Sequence, residues 1–154
     1  MITRSSDESV HTVADAGGCG GRRTGAGELA ADYDSLTAGQ VFQRVEYTLD
    51  AATVDLYVAA VGASHPGYVP PLAVAARAIA SLGGLIALPP GTIHASQEFE
   101  FSGLVPVGAR VSCQATVVRK LARGPMRMLT LETVIDDEDG RTVQKGRSTI
   151  VLPG

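Results

Sequence analysis

Hydrophobic and polar positions divide the chain into one early strand-like run, two helical runs and a series of strands. Gln40 to Leu49 alternates loosely, with Val41, Phe42, Val45 and Tyr47 as its apolar members, and predicts a strand. Asp50 follows as an N-cap, because its carboxylate can accept from backbone N–H groups two or three residues on. Val54, Tyr57, Val58 and Val61 then recur at helical spacing, and Gly62 supplies a stop, which predicts a short amphipathic helix. After a loop from Ala63 to Val69, Pro70-Pro71 opens a second helix, since proline is tolerated in the first turn. Leu72 to Leu82 is apolar nearly all round, apart from Arg77 and Ser81, and so predicts a buried helix ended by Gly83-Gly84. Its many alanines make it thin enough for close packing on a curved sheet. Leu72, Val74, Ile79 and Leu82 would each contribute about 1.5–3 kcal/mol if fully buried.

Everything after that helix reads as strand. From Ile93 to Phe101, strict alternation puts Ile93, Ala95, Gln97, Phe99 and Phe101 on one face and His94, Ser96, Glu98 and Glu100 on the other. Arg110 to Val117 turns Val111, Cys113, Ala115 and Val117 inward, and Met126 to Ile135 does the same with Leu129, Leu131 and Ile135. Asp139-Gly140 signals a hairpin turn into a last strand that runs from Arg141 to Leu152. The resulting order, strand, short helix, buried helix and four strands, predicts an α+β fold with an antiparallel sheet wrapped around one buried central helix.

Composition changes this picture at the N-terminus. Residues 1–35 are rich in glycine and offer few side chains to bury, so a disordered tail is expected ahead of a single domain over 36–154. The net charge is -3 and no basic stripe is present, which argues against nucleic acid as a partner. No apolar run is continuous enough to span a membrane, and Met1 to Val10 has no secretory h-region. Cys19 and Cys113 make neither a zinc pattern nor a disulfide framework, so a cytoplasmic protein with reduced thiols is expected. No metal site follows from His94 with its distant carboxylates, a ridge that suits a solvated or interface face. The run Asp136-Asp137-Glu138-Asp139 fits a solvated turn rather than a calcium loop.

Several strings in this order carry a resemblance. They are Tyr57-Val58-Ala59-Ala60-Val61-Gly62, then Ala63-Ser64-His65-Pro66-Gly67-Tyr68, then Val69-Pro70-Pro71. His94 to Phe101, Val105-Pro106-Val107-Gly108, Gly124-Pro125-Met126-Arg127 and Asp139-Gly140-Arg141 complete the set. Over residues 36–152 the chain resembles the MaoC-like hydratases and dehydratases of the hotdog fold, most closely their N-terminal, non-catalytic type of domain. The resemblance implies an acyl thioester as ligand, on an acyl carrier protein or coenzyme A, and no cofactor. In that family an Asp-x-Asn-Pro-x-His signature supplies the acid/base pair. Here its Asp position holds Ala63, its Asn position His65, its Pro position Pro66 and its His position Tyr68.

The departure shapes the functional expectations. Ala63 cannot transfer a proton, and a tyrosine's ordinary pKa near 10 makes Tyr68 a poor base at neutral pH. His65 has a suitable intrinsic pKa but stands three positions from the family's histidine. The resemblance therefore implies a non-catalytic, acyl-chain-binding subunit that pairs with a second hotdog subunit, a heterodimer ahead of a homodimer. The reaction of such a pair would be dehydration of a (3R)-3-hydroxyacyl thioester or hydration of the enoyl thioester. Candidate catalytic residues are His65 and Tyr68, and candidate substrate-binding residues are Tyr57, His65, Tyr68, Val69, Pro70 and Leu72. Two alternatives stay open: a self-sufficient homodimer that uses His65, and a non-enzymatic acyl or carrier-protein binding module. A hotdog thioesterase is disfavoured, because Leu72 to Leu82 lacks the acidic residue such enzymes usually carry on or near that helix.

Overall fold

The computed structural model describes residues 30–154. Its elements are β1 (Val45–Thr48), α1 (Ala51–Val61), α2 (Pro71–Leu82), β2 (Ile93–Phe101), β3 (Arg110–Arg123), β4 (Met126–Asp136) and β5 (Thr142–Pro153). The strands form one antiparallel sheet in the order β1-β3-β4-β5-β2. The inner face of α2 packs on it through Ala73, Val74 and Ala78, against Cys113, Ile135 and Val143. This is the α+β hotdog arrangement, with the sheet laid over a central helix.

Both helices start and stop as their sequences dictate, but they bury less than expected. Asp50 Oδ1 accepts from the Thr53 N–H at 2.7 Å, and Gly62 ends α1 in the left-handed region with φ 66°. Val54 is buried and Tyr57 and Val58 pack partly against the core, whereas Val61 is exposed because the core beneath α1 extends only as far as Val58. In α2, Ala73, Val74, Ala75 and Ala78 are buried, but Leu72 is 55% exposed. At 100° per residue Leu72 falls off the face that Ala73, Val74 and Ala78 present to the sheet. Alanine is small enough to occupy either side, so an alanine-rich helix reads as apolar all round while only one face is covered.

The early strand is shorter than expected. Only Val45–Thr48 pair continuously with β3, while Val41 makes an isolated bridge to Thr116. The anticipated tail over 1–35 falls outside the described residues as far as residue 29. The described chain begins packing at Ala31, ahead of Leu36: Ala31 pairs with Ile86, and buried Tyr33 lies beneath the Lys120 ammonium, 4.6 Å from its ring centroid.

The core divides into two clusters along α2. One, around Leu49, Val69, Val74, Ile135 and Val143, lies under the start of the helix. The other, around Leu36, Ile86, Val117, Leu131 and Ile150, lies under its end. Strand β2 forms one edge of the sheet and is mostly exposed on both faces. Its register against β5 slips between His94 and Ser96, so that Ala95 is an extra, bulged residue.

Candidate functional site

The loop that the sequence singled out is clamped at its far end. Gly67 takes φ 83°, its carbonyl accepts from the Val107 N–H at 3.0 Å, and the Val69 N–H donates to Val105 at 2.8 Å. Tyr68 forms a bridge with Pro106 between these bonds. The clamp buries Val69 in the core and leaves the Tyr68 side at the surface, 45% exposed. The Pro70 carbonyl accepts from the Ala73 N–H at 2.8 Å and so starts α2. Tyr57 packs against the first core cluster, as its place on the apolar face of α1 predicted.

His65 has a partner that the sequence reading did not find. The turn at Gly62 folds the loop back over α1, and His65 Nε2 comes to 3.1 Å from Asp55 Oδ1. Asp55, ten residues earlier, is the one charged position on a mainly apolar helix, and that oddity was the available signal. The pair does not present an acid/base group to a cavity. One ring nitrogen of His65 is taken by a carboxylate that is itself 68% exposed, and the other, Nδ1, is buried without a partner. Tyr68 and His65 share the loop but make no hydrogen bond with each other among the described residues.

A cavity of about 520 Å³ lies at the other end of α2, between its last turn and the inner face of the sheet. Ile79, Ile86, Leu131 and Ile150 make it mainly apolar, and His94 and Ser148 are polar members of its wall. The volume falls in the range of small-ligand pockets. His94 corrects the sequence reading, which placed it beside Ser96, Glu98 and Glu100. One bulged residue flips every preceding side chain to the other face, so His94 aligns with Ile150 and joins Gln97 instead. Gln97 links His94 to Ser148: its Oε1 accepts from His94 Nε2 at 3.1 Å and from the Ser148 hydroxyl.

Two further buried polar groups lie near the start of α2. Gln144 is 1% exposed, and neither amide atom has a partner. It borders a small void with Val69, Pro71 and Val74. The Tyr47 hydroxyl is also buried without a partner, and burial raises its pKa well above the ordinary tyrosine value. Burial likewise pushes the Cys113 thiol up to about 11. Neither group can serve as a base or nucleophile at neutral pH. Among the described residues, no three His, Cys, Asp or Glu side chains are grouped so as to hold a metal ion, and no helix is long and apolar enough to cross a membrane.

A five-stranded antiparallel sheet over one central helix, with a ligand-sized space between them, places the chain in the hotdog fold class. Its structural neighbours include proteins described as hydratases and dehydratases. The (R)-hydratase PhaJ1 from Pseudomonas aeruginosa superposes with a TM-score of 0.68 at 20% identity, over 79% of this chain and 84% of that one. The (R)-hydratase of A. caviae involved in PHA biosynthesis gives 0.62 at 25% identity, over 77% and 98%. The HadBC (3R-hydroxyacyl-ACP dehydratase) complex from Mycobacterium tuberculosis gives 0.62 at 16% identity, over 74% and 96%. The sequence matches no protein-family model and no curated protein.

Proposed function

We propose that this chain is the acyl-chain-binding, non-catalytic member of a MaoC-like hotdog pair that dehydrates (3R)-3-hydroxyacyl thioesters or hydrates the enoyl forms. The observation that carries the proposal is the separation of pocket from chemistry. A ligand-sized apolar cavity is present, while the signature loop offers Ala63, a histidine tied to a surface carboxylate, and Tyr68 at the surface. Catalysis of water removal needs a proton-transfer group within hydrogen-bond reach of the reacting carbon. In this reading a partner hotdog with an intact acid/base pair supplies it. Tyr68, Pro70 and Leu72 then serve as the mouth of the acyl site or its seam with the partner, Val69 anchors them from the core, and His65 positions the loop.

The edge strand supports a partner. β2 is nine residues long and stands at the sheet edge, where its outer backbone groups have no strand partner among the described residues. Exposed Ile93 and Phe101 stand at its two ends, and exposed Leu72 and Leu104 add apolar surface. HadBC, one of the neighbours, is a complex. The test is to purify the chain alone and with a co-expressed second hotdog chain. Size-exclusion and enoyl absorbance are then followed with a (3R)-3-hydroxyacyl thioester. The expected result is no turnover alone and turnover in the complex, and full activity of the chain alone would overturn the proposal.

A second reading has one observation in its favour, the Asp55–His65 contact. A carboxylate that orients a histidine is a common acid/base arrangement. It would make the chain a self-sufficient homodimer, and it needs the loop to swing so that a ring nitrogen reaches substrate.

A further inference from the structure

The polar members of the cavity wall are arranged with a definite sense. Gln97 Nε2 donates to the Glu98 carbonyl at 3.0 Å and the Arg147 carbonyl at 3.2 Å. Reversing the amide would set its oxygen against two carbonyl oxygens, so this orientation is the one the backbone permits. Gln97 Oε1 must therefore face His94 and Ser148, and both must donate to it. In the neutral ring the proton of His94 is then on Nε2, and its Nδ1, with no other partner among the described residues, is left as an acceptor. The Ser148 hydroxyl has spent its one proton on Gln97, so only its lone pairs are free. Both residues line the cavity.

A wall of acceptors selects for a ligand that donates. An unbranched hydrocarbon chain would cover these lone pairs and remove them from water with nothing in return. The position of the wall says where on the ligand the donor belongs. The α2 helix has 12 residues, which is about 18 Å of helix. The loop carrying His65 and Tyr68 leads into its start, whereas the cavity touches Ile79 and Gly83 at its end. A thioester held near the loop would place the remote part of the acyl chain at His94 and Ser148.

We propose that the cavity takes an acyl chain bearing a hydroxyl on its distal part, recognised by His94 Nδ1 and Ser148 Oγ. This rests on the acyl-thioester reading above and names the substrate class of that site.

Binding of dodecanoyl-coenzyme A and 12-hydroxydodecanoyl-coenzyme A to the full-length chain, measured by calorimetry, tests it. The expected result is tighter binding of the hydroxylated thioester by about 10-fold, the discrimination of one well-made hydrogen bond to an otherwise stranded acceptor. Ser148→Ala should reduce that ratio to about 3-fold or less, and His94→Phe, at the exposed rim, should do the same. Equal affinities in the unaltered protein would overturn this inference and leave the acyl-binding reading standing. So would a preference that survives both substitutions. No binding of either thioester would overturn both.

Discussion

The two ends of α2 make opposite use of polar groups. At its start, polar groups are present but turned away from any ligand: His65 is engaged by Asp55, Tyr47 and Gln144 are buried without partners, and Tyr68 faces outward. At its end, two polar groups are held by a third and offered to a cavity. The first arrangement resembles a loop kept for its shape, the second a site kept for recognition. The difference teaches that, on the proposed reading, binding can be kept where chemistry is not, because the cavity and the signature loop lie at opposite ends of one helix.

The sharpest way to break the comparison is to damage the cavity floor. Leu131 is almost fully buried and forms both core and cavity wall. Leu131→Ala should destabilise the protein by about 2–5 kcal/mol in urea unfolding, as large-to-small core changes do. It should also weaken acyl binding. A change below about 1 kcal/mol would mean that the cavity end collapses easily and is no rigid site. The corresponding change at the start of α2 has the opposite sign. Gln144 carries a stranded amide, and replacing such a group with an apolar one of similar size removes a desolvation cost. Gln144→Leu should stabilise the protein by about 1 kcal/mol, a rise of about 2–4 °C in Tm for a chain of this size. Destabilisation instead would assign Gln144 a partner in the assembled protein.

Sequence reasoning reached the strands, the caps and the order of elements because each has a local cause. Asp50 is followed by a helical run, Gly62 permits the left-handed turn, and Asp139-Gly140 closes a hairpin. What stayed hidden depends on geometry across the sheet. A single bulged residue, Ala95, moved His94 to the opposite face, and nothing in a run of alternating residues marks where an extra one is accommodated. Asp55 meets His65 only because the chain reverses at Gly62, and the hub formed by Gln97 joins residues 51 positions apart in sequence. Leu72 was read as buried because alanine-rich helices carry a weak facial signal. The strings that resemble a family were thus legible, and the contacts that join Gln97 to His94 and Ser148 were not.

Acid sensitivity sharpens the picture at the start of the molecule's helical layer. Hydrogen bonding to the Thr53 backbone N–H, and secondarily its side chain, lowers the Asp50 pKa from the ordinary 3.8. A carboxyl whose folded pKa is depressed contributes stability above its unfolded pKa and loses it as pH falls through the folded value. Stability should therefore decline below about pH 4 partly through α1, and Asp50→Asn, which retains capping without ionisation, should flatten that decline. An unchanged acid limb would show that the α1 cap does not contribute to it.

The smallest expected effect decides between the two functional readings. Asp55 is largely exposed, so its pairing with His65 resembles a surface ion pair, which is worth about 0–1 kcal/mol. If His65 only steadies the loop, His65→Ala in the assembled complex should leave kcat within about 2-fold and cost little stability, since removing a general base is worth about 100-fold or more. Asp55→Asn separates the possibilities further. A positioning carboxylate behind a working histidine would shift the pH profile of kcat when removed, whereas a loop tether would leave that profile unmoved. A loss of 100-fold on His65→Ala, with a displaced pH profile on Asp55→Asn, would move the chemistry back to the start of α2. The contrast between its two ends would then become one between two halves of a single active site.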